Sequence, residues 1–416
     1  MFLISICIYI PYIYTMKILF LATDSLEPTG YAKIAYYLSN FLADQSGVEL
    51  FYLAVNYNTT VNATSRERNP KITYIDSNVE GVNDIYGPPI IKKVIEEIKP
   101  DIFFIYNDLI VTYRNVMELH KINHKCRVIV YLDIIYDHSN TDLIRDIETR
   151  VDDVFVFSQH WVQYLKKGKT LPHWIDPKIV HMDKNKCRTR LNIPQDDFVI
   201  INSNRNSSHK QLDITIRAFL RFYKLVPKEE RSKVKLFLVS HLHTLIGCNL
   251  INAIKHECSY EGISEEDQIQ ILNNNILHMD SVSDDCMYAI YNLSDVGINT
   301  ASTEGFGLCN VEMGYLNKPQ IVSGVGGMRD IYANVEGIGD MFIEPKLRFL
   351  CSSAETFSQE GYRHLCDAQD FTDKLYKYYN DRDLMVSEGA ALGKHLRKHY
   401  DMNNILEQWW AELIRS

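Results

Sequence analysis

The sequence predicts two doubly wound α/β domains, on three observations. Short, almost wholly apolar runs such as residues 17–22 (KILFLA) and 198–202 (FVIIN) read as parallel strands covered on both faces. These runs alternate with amphipathic helical stretches along the chain. The alternation loosens once, over residues 171–196, where Pro172, Pro177 and Pro194 fall among charged residues as in an interdomain linker, and then restarts. A chain of 416 residues is also long for a single core.

The first cycle runs from the strand at 17–22 through a loop at 23–30 into a helix over 31–42, with Ile34, Ala35, Leu38 and Leu42 on one face. Strands at 49–55 and 72–75 flank a polar, turn-like stretch at 56–70. Residues 88–98 form an amphipathic helix closed by Lys99-Pro100-Asp101, and strands at 102–105, 127–131 and 153–157 follow. The second cycle opens with the strand at 198–202 and a helix over 211–225 that aligns Leu212, Ile216, Phe219 and Leu220. Strands at 234–239, 276–277, 296–298 and 320–322 are interleaved with helices at 250–256 and 284–293. Residues 370–416 read as helical, and the adjacent Trp409 and Trp410 cannot both face one core, so at least one packs against another element. The layout is then an apolar extension at 1–15, a first domain at 16–185, a second at 186–395 and a terminal helix at 396–416.

Hydrophobic content of 46% and charged content of 23% are those of an ordinary globular enzyme. A net charge of -9 argues against a general nucleic-acid binder. The nine cysteines are scattered and contain no C-x-x-C pair, which fits free thiols in a reducing compartment and neither a disulfide framework nor a zinc site. The apolar start MFLISICIYIPYIYT lacks basic residues and is shorter than the roughly 20 residues that span a bilayer. It reads as an extension upstream of the first strand; a short anchor at a membrane surface is the second reading.

The chain is organised around Thr300–Glu312 (TASTEGFGLCNVE), where a strand-like segment passes through small residues and glycines into a helix. Glu304 and Glu312 bracket seven residues. Gly305 and Gly307 let backbone approach a ligand, and the helix start beyond them offers unpaired N–H groups. A carboxylate at each end can accept hydrogen bonds from sugar hydroxyls; a strand–turn–helix corner with two exposed acids would look the same. A second loop, Asn204-Arg205-Asn206-Ser207-Ser208-His209-Lys210, follows a strand at the carboxyl edge, where open α/β sheets bind ligands. Arg205 and Lys210 there could neutralise a diphosphate and stabilise it as a leaving group, and the shared sheet edge with Glu304 and Glu312 favours that over a merely solvated loop.

Weaker signals surround these two loops. Gly324-Val325-Gly326-Gly327 is a second glycine turn after a strand, which a tight βα connection would equally explain, and Gly30 could turn backbone N–H groups toward a phosphate across a cleft. Asp133 and Asp137 follow a buried strand, and His138, His173 and His209 could act as acid, base or donor. Asp284-Asp285 and Asp381-Arg382-Asp383 read as solvated charge and not as a metal site.

Taken together, these residues resemble the retaining GT-B glycosyltransferases of family 4, over nearly the whole chain after Met16 and most strongly over 193–332. Glu304…Glu312 is similar to that family's E-x7-E motif, Asn204-Arg205-Asn206…Lys210 to its donor-phosphate loop, and Pro172-His173-Trp174-Ile175-Asp176 to its P-H-G-V-D segment. The resemblance implies two Rossmann-like domains facing each other across a cleft. It implies a metal-independent transfer, without cofactor, from a UDP- or GDP-sugar to a hydroxyl of a glycan, lipid or protein-linked acceptor. Arg205 and Lys210 would hold the diphosphate. Glu304, with the backbone of Phe306, Gly307 and Leu308, would hold the sugar, and Glu312 the ribose. Asn204 belongs to the same donor loop, Ser240, Met279 and Val282 would surround the base, and Gly30 would close on the phosphates. Leu132 stands where many relatives carry a histidine before the aspartate that is here Asp133, so His138 could substitute on the acceptor side. A sugar-nucleotide epimerase of the same architecture and a non-catalytic nucleotide-sugar-binding protein are the alternatives. The sequon Asn206-Ser207-Ser208 lies inside the donor loop, where a glycan would block the site, which favours a cytoplasmic protein.

Overall fold

A computed structural model describes residues 15–57, 64–82, 84–339, 341–351 and 360–415. The expected apolar extension at 1–15 therefore lies almost wholly outside the described residues. In chain order the first half contains β1 (Met16–Thr23), α1 (Gly30–Ala43), β2 (Val48–Val55), β3 (Ile72–Asp76), α2 (Pro88–Ile98), β4 (Ile102–Asp108), α3 (Leu109–His120), β5 (Arg127–Asp133), α4 (Thr141–Arg150), β6 (Asp153–Val156), α5 (Gln159–Val162) and β7 (Lys169–Thr170). These strands form one parallel sheet in the order β3-β2-β1-β4-β5-β6-β7. Burial on both faces is what their near-continuous apolar sequences require: Ile18, Leu19, Phe20, Leu21 and Ala22 of β1 are wholly buried.

The second half contains α6 (Lys184–Arg190), β8 (Phe198–Asn202), α7 (Leu212–Leu225), β9 (Val234–Val239), α8 (Leu250–Tyr260), α9 (Glu265–Gln270), β10 (Ile276–Met279), α10 (Asp284–Leu293), β11 (Val296–Asn299), α11 (Leu308–Tyr315), β12 (Gln320–Ser323), α12 (Met328–Tyr332) and β13 (Phe342–Ile343). Its parallel sheet runs β10-β9-β8-β11-β12-β13. An antiparallel hairpin, β14 (Leu347–Cys351) and β15 (Gly361–Leu365), is followed by α13 (Ala368–Asn380), α14 (Arg382–His399) and α15 (Met402–Leu413).

Each sheet reverses its strand order once, between β1 and β4 and between β8 and β11. Loops leaving the carboxyl ends of neighbouring strands diverge at such a point and leave a crevice. The loops after β8 and β11, which carry the basic and the glutamate motifs, flank it in the second sheet.

The stretch at 171–196, expected to be a loose linker, holds the short helix α6. Arg188 is buried there, its guanidinium 2.8 Å from Asp295 and bonded to the Leu293 and Gln195 carbonyls. A helix dense in Lys and Arg hides this anchor, because Lys186 and Arg190 are exposed while Arg188, helped by Lys184 at the helix start, turns to the same Asp295. α3 and α4 were also not anticipated. α3 begins Leu-Ile-Val-Thr-Tyr, a strand-like composition, but the Asp108 carboxylate accepts from the Val111 N–H at 2.9 Å and caps a helix start. At the carboxyl end, α15 returns to the first sheet. Trp409 packs on Phe104, Tyr131 and Phe155, with ring centroids 5.2, 4.7 and 5.0 Å away, while Trp410 is half-buried. The two chain crossings between the sheets touch: the Ile175 N–H donates to the Tyr400 carbonyl at 3.1 Å.

Candidate active site

The loop after β8 is held by side chains that bond backbone. Asn202 donates to Thr215 and accepts from the Asn204 N–H, and the Asn206 amide donates to the His241 and Cys248 carbonyls at 3.0 and 2.6 Å. Asn206 is thus buried and fully engaged in the folded chain. Lys210, at the loop's end, reaches Glu304 at 2.6 Å, whereas Arg205 is exposed. Ser302 clamps the two loops together, its N–H and hydroxyl both donating to the His209 carbonyl. Burial, followed by the charges of Lys210, Arg205 and Arg363, holds the His209 imidazole well below its usual value, so it stays neutral among cations.

The loop after β11 depends on glycine for close approach. A Cβ on Gly305 would lie 2.7 Å from Asp133 Oδ1 and 3.0 Å from the Phe157 ring, groups that belong to the other half of the molecule. Gly307 has φ +82°, the left-handed conformation that opens α11. The second glycine turn packs beneath this loop: the Gly327 N–H donates to the Glu304 carbonyl at 3.0 Å, and a Cβ on Gly326 would stand 2.1 Å from that oxygen. Glu304 is buried, accepting from Lys210 and, at 3.2 Å, from Asn299. Phe306 is buried against His173 and Tyr400, and Leu308 is half-buried. His173 stacks on Phe157 with centroids 4.4 Å apart, and burial brings its imidazole down to about 3.

Across the crevice, Thr29 caps α1 and Gly30 opens it. A Cβ on Gly30 would touch Leu308 at 3.5 Å, so the starts of α1 and α11 face each other. Lys33, one turn further on, extends to Glu312 at 2.8 Å and Asp284 at 3.7 Å. Burial works against its charge, but Glu312 and then Asp284 outweigh it and raise the ammonium's affinity for its proton. Glu312 takes a second bond, from the Tyr291 hydroxyl at 3.3 Å. Tyr31 donates to Asp133. Burial, reinforced by the Glu304 carboxylate and opposed by Lys210, pushes Asp133 up to about 7. Asp133, Glu304 and Lys210 are therefore electrostatic neighbours drawn from both sheets.

Ser240 and Met279 meet at the ends of β9 and β10, where the Ser240 N–H donates to the Met279 carbonyl at 2.9 Å; Val282, half-buried, precedes α10. His138 is exposed with φ +53°, its ring edge-on to Tyr164 and Tyr362. Asp137 is engaged at both oxygens, by His160 and His364 at 2.7 Å each. Leu132 is wholly buried in the first core.

The reading of Asp284 as solvated charge is corrected. Its carboxylate is largely buried between Lys33 and Arg66, 3.1 Å from the latter. Asp381 caps α14, and Arg382 lies 4.0 Å over the Phe198 ring. Sequence reasoning missed Lys33, Arg66, Tyr31 and Arg363. The one available signal was a lysine beside the apolar stripe of α1.

Two parallel sheets, each ending in a switch-point crevice that opens toward the other, define a two-unit GT-B fold. Residues 183–346 match the family described as Glycosyl transferases group 1, and this second unit belongs to that family. None of the curated protein sequences matches the chain significantly. Among solved structures, the chain is similar to sucrose-phosphate synthase from Thermosynechococcus elongatus, with 13% identity, a TM-score of 0.72 and coverage of 96% of this chain and 98% of that one. Anabaena HepE in complex with UDP-glucose matches at 15% identity and TM-score 0.68, over 96% and 99% of the two chains. A trehalose-6-phosphate protein of E. coli bound with UDP-2-fluoro glucose matches at 13% and 0.66, over 95% and 98%. At such identities the likeness establishes the fold. Among the described residues, no helix is long and apolar enough to cross a membrane.

Proposed function

We propose that the chain is a retaining glycosyltransferase that moves a sugar from a UDP-sugar to an acceptor hydroxyl. The observation that carries this reading is the convergence of Lys210, Glu304 and Asp133 where the two sheet edges face each other. The UDP-glucose and UDP-2-fluoro glucose carried by two structures of the same fold support the choice of base. In this reading Glu304 and the backbone from Phe306 to Leu308 hold the sugar, and Glu312 meets the ribose. Asn204, Ser240, Met279 and Val282 lie along the nucleotide, and Gly30 approaches the phosphates from α1. The bond from the anomeric carbon to the diphosphate breaks as the acceptor oxygen bonds to the same face, and the acceptor proton passes to the departing phosphate oxygen. Arg205, Lys210 and the N–H groups that open α11 stabilise the growing negative charge. Asp133 lines the acceptor side.

The test incubates the protein with UDP-glucose, alone and with candidate sugar acceptors, and follows UDP release and the fate of the donor by NMR. UDP release that depends on acceptor, with an α-linked product, is the expected result. Donor isomerised without acceptor, or bound and never consumed, would replace this reading with an epimerase or a binding protein.

A further inference from the structure

The hairpin β14–β15 brings one side chain into the crevice that neither motif supplies. Arg363 of β15 is 4% exposed. Among the described residues its guanidinium makes one hydrogen bond, to the Ser208 hydroxyl at 3.2 Å, and no carboxylate pairs with it. Its Nε is buried and has no hydrogen-bond partner among the described residues. The Tyr136 ring lies 5.7 Å away and offers a face to the cation but no hydrogen-bond acceptor for Nε. A guanidinium carries five N–H donors and a permanent charge, so burying it with a single neutral acceptor is costly unless an anion completes the site.

The strand is fixed where such an anion would sit. The His364 N–H donates to the Ser302 carbonyl at 2.7 Å, which ties β15 to the loop that precedes Glu304. The Tyr362 N–H donates to the Asp137 carbonyl at 2.8 Å, which ties it to the loop after β5. Arg363 therefore stands between Ser208 of the basic loop and Tyr136 of the opposite unit. Its charge, with those of Lys210 and Arg205, acts on the His209 imidazole, and among the described residues the acid bonded to this group of cations is Glu304.

We infer that Arg363 is a third cationic ligand of the donor's diphosphate, contributed by the appended hairpin, and that it completes the grip of Arg205 and Lys210 on the leaving group. This rests on the donor reading given above. A planar fork suits two phosphate oxygens at once, which a lysine in the same place does not.

Binding of UDP and of uridine to the wild type and to Arg363→Met, Arg363→Lys and Lys210→Ala is measured by isothermal titration, with thermal unfolding as the check on folding. Methionine keeps most of the packing volume. The expected result is a loss of about tenfold or more in UDP affinity for Arg363→Met, with uridine binding changed less than about twofold. Arg363→Lys recovers only part of the loss. If Lys210→Ala weakens UDP while Arg363→Met does not, the inference about Arg363 falls and the donor reading stands. If neither variant distinguishes UDP from uridine, the donor reading itself fails. Equal losses for both ligands in Arg363→Met, or an unfolded Arg363→Met together with an Arg363→Lys that binds UDP like the wild type, would reduce Arg363 to a packing role and overturn the inference.

Discussion

Lys33 and Glu312, separated by 279 positions in the chain, meet at 2.8 Å and join α1 of the first sheet to α11 of the second. Both are buried, with side chains 9% and 3% exposed, and Asp284, Arg66 and Tyr288 extend the network around them. Such a pair is held against a desolvation cost, so removing one partner does more harm than removing both. Lys33→Met should therefore cost about 3 kcal/mol in denaturant unfolding, and adding Glu312→Gln should restore part of it. Additive losses in the double-mutant cycle would mean that the pair is not coupled.

Each oxygen of the buried Glu312 already accepts one bond, from Lys33 and from Tyr291, so a ribose bound to Glu312 would compete with Lys33. Lys33→Met is accordingly expected to bind uridine more tightly than the wild type, by calorimetry under conditions where both are folded. Weaker uridine binding by a folded variant would take Glu312 away from the ribose.

Lys210 bridges the basic loop and Glu304 at 2.6 Å. Lys210→Ala should weaken UDP binding far more than uridine binding, by about tenfold or more, because a charge-assisted bond to phosphate is lost. The same titrations performed in high salt should narrow the gap between wild type and variant.

Glu304→Ala is expected to abolish sugar transfer while leaving UDP affinity close to that of the wild type. The check is turnover at saturating donor, measured beside a UDP titration. A variant that transfers at the normal rate would remove Glu304 from the sugar site.

Asp133 gives a pH prediction. Its folded value of about 7 lies above that of a free carboxyl, with burial the largest cause, so the folded state binds the extra proton more tightly. Its contribution to stability is complete below the unfolded carboxyl value and is lost as pH rises toward 7. Asp133→Asn should flatten the fall in unfolding free energy between about pH 4 and pH 7. A fall of unchanged size in the variant would assign the titration to another group.

Much of the architecture was legible because burial on both faces of a parallel strand writes itself as an unbroken apolar run. Phe198–Asn202, Val234–Val239 and the helices Pro88–Ile98 and Asp284–Leu293 were readable to the residue for that reason, or from helical periodicity. α3 was missed because its β-branched opening mimics a strand and only the Asp108 cap distinguishes it. Lys210 and Glu304 could be paired from sequence because both lie in loops at one sheet edge. Lys33, Arg66 and Arg363 could not, since their roles depend on how two separately folded units and an appended hairpin come together. Asp284 was misjudged for the same reason: the cations that bury it come from the other unit.

The bond between Ile175 and Tyr400 places both passages of the chain between the units side by side. Two adjacent tethers act mechanically as one hinge. An opening of the crevice about that line would carry each residue in proportion to its distance from it. Cutting the chain just before α15 would leave a single tether, free to twist as well as swing, and would strip the cover of Trp409 from Phe104, Tyr131 and Phe155. The last helix thus sets which motion the two halves are allowed, as well as sealing the first core.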